Sequence, residues 1–131
     1  MKCLTIFKDN EIMISLQVQD TTMQKFLSYY PASNSNETIP KFIKYLSQVI
    51  DSLYGIGTTI ELKIEKLRNQ EKVTSFSELK DMIEFYGELT REQDKLYDLH
   101  QEIGKIEAIM DLVITQNEES EKEPEWSIDL Q

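Results

Sequence analysis

Cysteine, glycine, proline and positive charge are all scarce in this 131-residue sequence, and each shortage excludes something. A single cysteine, Cys3, rules out an intrachain disulfide and a thiolate-built metal site, and it fits a reducing compartment. Four glycines and three prolines leave little room for long loops. No window approaches the 18 or so apolar residues of a membrane span. The apolar run Cys3 to Phe7, closed by Lys8 and Asp9, is too short for a secretion signal. A cytoplasmic setting without membrane contact is therefore expected. No Gly-rich phosphate loop is present, because Gly55-x-Gly57 lacks a third glycine and a preceding strand.

The shortage of cations is local. Residues 1–75 hold 9 Lys/Arg against 8 Asp/Glu, residues 76–116 hold 4 against 10, and residues 117–131 hold 1 against 6. The net charges are +1, −6 and −5, so the whole excess of −10 lies in the C-terminal half. That half repels phosphate backbones, which argues against direct nucleic-acid binding, and attracts basic protein surfaces.

What is present is helical and strand periodicity. Residues 1–19 read as a β-hairpin, with Ile12, Ile14, Leu16 and Val18 alternating onto one buried face and Asp9-Asn10 as the turn. Residues 21–30 read as a short helix with Met23, Phe26, Leu27 and Tyr30 on one face. The polar stretch Ala32 to Glu37 reads as a loop.

Residues 38–69 form a helix with the stripe Ile43, Leu46, Ile50, Leu53, Gly57, Ile60, Ile64 and Leu67. Gly55 and Gly57 weaken it, and Thr58 with Glu61 offers a fresh capping box, but the unbroken register favours continuity. Residues 76–117 form a second long helix, opened by a Ser75/Glu78 capping box. Its apolar positions run Leu79, Met82, Ile83, Tyr86, Leu89, Leu96, Leu99, Ile103, Ile106, Met110, Val113. The short link from Gln70 to Thr74 makes the two an antiparallel, coiled-coil-like hairpin. Counting outward from that link sets Leu67 near Leu79, Ile60 near Tyr86 and Gly57 near Leu89. The expected fold is mainly α (α+β), with residues 1–117 as one domain and residues 118–131 as a flexible acidic tail.

The sequence assembles no catalytic chemistry. His100 is the only histidine, and no glutamate stands three residues before it to complete a metal pair. No serine or cysteine has a second histidine to activate it. No cofactor or metal is expected, and the chain reads as non-enzymatic. The candidate binding residues are of three kinds. Ile106, Ile109, Met110, Val113 and Ile114 overhang the shorter helix, and covering them favours a second copy of the chain as a homodimer. Glu84, Glu88 and Glu92 form an i, i+4, i+8 acidic row for a basic partner. Trp126, Ile128 and Leu130 end the tail as either a recognition segment or an extra strand. The function expected is a protein–protein interaction or assembly module. The rival is an acidic inhibitor of a basic protein or nucleic-acid enzyme, such as an immunity protein, an antitoxin or a phage-type antagonist.

Overall fold

A computed structural model describes residues 2–29, 38–118 and 124–130. Its elements in chain order are β1 (Lys2–Lys8), β2 (Glu11–Val18), α1 (Asp20–Tyr29), α2 (Ile39–Val73), α3 (Leu79–Glu118) and β3 (Trp126–Leu130). Helix accounts for 73% of the described residues, so the fold is mainly α with a small antiparallel sheet. Tyr30 and the expected Ala32–Glu37 loop lie outside the described residues. The chain divides into two compact units, with the division running through both long helices. Unit 1 holds residues Met1–Leu53 and Glu102–Gln131, and unit 2 holds Tyr54–Gln101.

Unit 1 is built on a three-stranded sheet in the order β2-β1-β3, antiparallel throughout. Asp9 and Asn10 turn the β1–β2 hairpin at φ of 50° and 67°, the left-handed conformation those residues tolerate. Ile6 pairs with Ile14 and Phe7 with Ile12, so Met13 is bulged out of the ladder. One extra residue reverses the alternation, since side chains switch faces at every step. Ile12 is consequently 67% exposed and does not share the buried face expected for it. Leu4, Ile6 and Val18 are buried, as are Met23 and Phe26 of α1.

The tail is not a flexible appendage over its last residues. β3 pairs with β1 from Leu4↔Leu130 to Lys8↔Trp126. The Asp9 amide donates to the Glu125 carbonyl at 2.8 Å, and the Glu125 amide donates to Asp9 Oδ1 at 3.0 Å. Trp126 and Ile128 are fully buried, and Trp126 stacks on Phe42 of α2 at 5.7 Å between centroids. The acidic composition before Trp126 argued for disorder. The alternation Trp126, Ile128, Leu130 was the stronger signal, because an apolar strand gains most by closing an open sheet edge.

α2 runs unbroken through its glycines. The Thr58 hydroxyl donates to the Tyr54 carbonyl and the Thr59 hydroxyl to the Gly55 carbonyl, so neither threonine restarts the helix. α3 begins three residues later than its capping box implied, at Leu79, with residues 74–78 as the connection.

Trp126 is the only tryptophan and reports on β3 directly. Trp126→Ala should cost about 3–5 kcal/mol in denaturant unfolding, the range for emptying a buried aromatic site. A cost below 1 kcal/mol would return the tail to an accessory role.

Candidate functional site

Unit 2 is a helical hairpin with a narrow seam. Ile64, Leu67 and Leu89 form its buried cluster, with Ile60, Phe85 and Leu96 packed against it. At Gly57 the helices approach so closely that a Cβ there would lie 3.2 Å from Leu99 Cδ2 and 3.9 Å from Leu96 Cδ1. Gly57 therefore faces Leu96 and Leu99, not Leu89 as counting from the link implied. α2 extends to Val73, which moves the turn and slides the register.

The seam on α3 reads Phe85, Leu89, Glu92, Leu96, Leu99, stepping 4, 3, 4, 3. Leu79, Ile83 and Tyr86 lie off that face and are 70%, 62% and 41% exposed, and Met82 stands at its edge and is 38% exposed. The apolar positions of α3 thus form two stripes of different phase. They read as one because both step by threes and fours. Val73, at the end of α2, is 85% exposed. Phe76 of the connection packs on Phe85 at 5.2 Å and on Tyr86 at 6.3 Å, tying the loop to the start of α3. The Tyr86 hydroxyl donates to Glu71 Oε1 at 2.8 Å, and that hydrogen bond holds its pKa above the ordinary range.

Glu92 occupies a seam position and is buried. Its Oε1 accepts from Lys63 Nζ and Lys95 Nζ, each at 3.1 Å, and Lys63 Nζ also lies 3.7 Å from Glu88. The Lys63 hydrogen bond, then that of Lys95, holds the Glu92 carboxyl below the usual carboxylate range despite partial desolvation. The same bond raises Lys63. Of the acidic row expected to meet a basic partner, Glu92 is spent inside the hairpin, Glu88 borders the same ion pair, and Glu84 is exposed. The gap between Leu89 and Leu96 was the signal for a buried carboxylate.

The C-terminal overhang is covered within unit 1. Ile106, Ile109 and Val113 are fully buried, Met110 is half-buried, and Ile114 is 38% exposed. These residues share their unit with the buried faces of β1, β3, α1 and α2, which removes the reason for covering them with a second copy. Trp126, Ile128 and Leu130 belong to β3 in the same unit, so they are core and sheet residues and not an offered segment. Glu102, which no spacing in the sequence singles out, is 1% exposed. Its Oε1 accepts from the Gln19 amide at 2.8 Å, which places a carboxylate against the N-terminus of α1. Lys105 Nζ lies 3.7 Å from it and donates to the Gln17 carbonyl.

An open groove of about 480 Å³ runs along unit 2, lined by Glu61, Ile64, Glu65, Arg68, Asn69 and Lys72 of α2 and Gln93 and Leu96 of α3. Among the described residues no cluster of three His, Cys, Asp or Glu side chains is placed to hold a metal ion. No described helix is long and apolar enough to cross a membrane. Comparison with protein-family models, curated proteins and solved structures finds no match.

The Glu92 site makes a prediction with a definite sign. A carboxyl with a depressed folded pKa contributes stability above its ordinary range, and loses it as pH falls through the depressed value. Lys63, raised, contributes below its ordinary range and loses that only as pH rises through the raised value. Glu92→Gln should therefore lower Tm at pH 7, with the deficit against wild type shrinking below about pH 4. Glu92→Leu should match or exceed wild type at pH 7, because Lys63 and Lys95 are half-exposed or more and can turn to water. A deficit for Glu92→Gln that stays constant with pH would contradict the ion-pair assignment.

Proposed function

We propose that the chain is a non-enzymatic protein-interaction module whose binding element is the helical hairpin of unit 2. The observation that carries this reading is the exposed stripe Leu79, Met82, Ile83 and Tyr86. Its i, i+3, i+4, i+7 spacing fills one face of two helical turns, the pattern of anchors that dock against another protein. Burying side chains of this kind is worth roughly 1.5–3 kcal/mol each, so leaving Leu79 and Ile83 mostly in water, and Met82 and Tyr86 partly so, is costly unless something covers them. Unit 1 holds the first part of α2 and the last part of α3. The free thiol of Cys3 supports a reducing, cytoplasmic setting.

The second reading is an acidic inhibitor of a basic protein. It is favoured by the net −6 of residues 76–116, where Asp81, Glu84, Asp94 and Asp98 are exposed along α3. The two readings differ in what drives association, apolar contact in one and charge in the other.

The test is affinity capture from native lysate with three baits: wild type, Leu79→Ser/Ile83→Ser, and Ile12→Ser as a control at an exposed site in unit 1. Proteins enriched by wild type should be retained by the Ile12→Ser bait and lost by the stripe variant. Identical capture by all three would remove the stripe from the binding function. Capture lost in the stripe variant but insensitive to 0.5 M salt favours the apolar reading over the acidic inhibitor.

A further inference from the structure

The groove beside the exposed stripe has a charge order that selects its occupant. On α2 its rim runs Glu61, Glu65, Arg68, Lys72, at steps of 4, 3 and 4 along one face. The rim is therefore acidic at one end and basic at the other, with no net charge. On α3 the row Met82, Tyr86, Leu89, Gln93, Leu96 keeps the same period, so the groove floor and the inner edge of the stripe share one face. Two parallel rows at this spacing are the surface that a pair of helices presents to further helices in a bundle.

We infer that the occupant of this face is unit 2 of a second copy of the chain, packed antiparallel to give a four-helix bundle. This rests on the reading of unit 2 as a protein-binding element and names its partner. The bipolar rim is self-complementary under a two-fold axis. An axis between Glu65 and Arg68 sets Glu65 opposite Arg68 of the second copy and Glu61 opposite its Lys72. Leu67 and Leu89 belong to one cluster, so the same axis passes α3 near Leu89 and Thr90. It then brings Tyr86 opposite Gln93 of the second copy and Met82 opposite its Tyr97, which is 65% exposed. Two rows, one charged and one mostly apolar, thus satisfy a single symmetry operation, as an isologous interface requires. A parallel arrangement instead sets Glu61 and Glu65 against their own copies, like charge on like.

The net charge of −10 opposes any self-association, but it is screened beyond about 8 Å at physiological salt, whereas the rim pairs are in contact. The interface differs from one through Ile106 to Ile114, which unit 1 already covers.

The test is a charge swap on the full chain. Glu61→Lys/Glu65→Lys makes the rim wholly basic, and Arg68→Glu/Lys72→Glu makes it wholly acidic. Light scattering of wild type at tens of micromolar should give twice the 15.4 kDa chain mass. Each swapped protein alone should be monomeric, with its dimer dissociation constant raised about tenfold or more. An equimolar mixture of the two should return to the doubled mass. Circular dichroism of each variant establishes that it remains folded. A monomeric wild type overturns the inference. So does a wild-type dimer whose swapped variants both stay dimeric, or a mixture that stays monomeric. If wild type is monomeric while lysate capture still depends on Leu79 and Ile83, the second copy is wrong and the interaction reading stands.

Discussion

The phase of the α2–α3 seam decides what unit 2 can do. Gly57 lets the helices close until a Cβ would touch Leu99, and the six-residue apolar cluster around Ile64, Leu67 and Leu89 fixes the register from there. A seam that steps through Phe85, Leu89, Glu92, Leu96 and Leu99 leaves Leu79, Ile83 and Tyr86 off its face and Met82 at its edge. Their exposure follows from the geometry of the seam and not from a shortage of apolar residues. A two-helix hairpin can bury one stripe, and α3 carries two. The buried carboxylate of Glu92 follows from the same phase. The position falls inside the seam, and the hairpin accepts it only because Lys63 and Lys95 reach its oxygen.

Unit 1 works by a different constraint. Its central strand β1 is paired on both sides, by β2 and by the returning β3, and neither pairing partner has a second neighbour in the sheet. Trp126 stacked on Phe42 ties β3 to α2, and Glu102 ties the start of α1 to α3. The last described residues of the chain therefore belong to the core, and the overhanging apolar residues of α3 are buried in the unit they help to build.

Much of this was legible in the sequence. The hairpin turn at Asp9-Asn10 followed from the tolerance of those residues for positive φ, and the two long helices followed from their stripes. Three things were hidden, each for a physical reason. Periodicity gives the existence of a stripe more firmly than its phase, so two stripes on α3 merged into one and the register slid with the link. A single bulged residue at Met13 moved Ile12 across the sheet, and nothing in the alternation marks a bulge. Glu92 and Glu102 look like any exposed carboxylate until the partners Lys63 and the Gln19 amide, distant in sequence, come into reach. The apolar tail was visible as an alternation, but its burial depended on the open edge of β1.

The most direct measurement of the seam is its register. In a Cys3→Ser background, Gly57→Cys/Leu99→Cys and Gly57→Cys/Leu89→Cys are two competing pairs for intrachain disulfide formation under mild oxidation. A disulfide needs Cβ atoms roughly 3.5–4.5 Å apart, so it forms quickly only between positions already opposed. Closure should be rapid for the 57/99 pair and absent for the 57/89 pair, read by mass spectrometry of the monomeric chain. Rapid closure of 57/89 with 99 unreactive would place Leu79 to Tyr86 back in the seam and overturn this register.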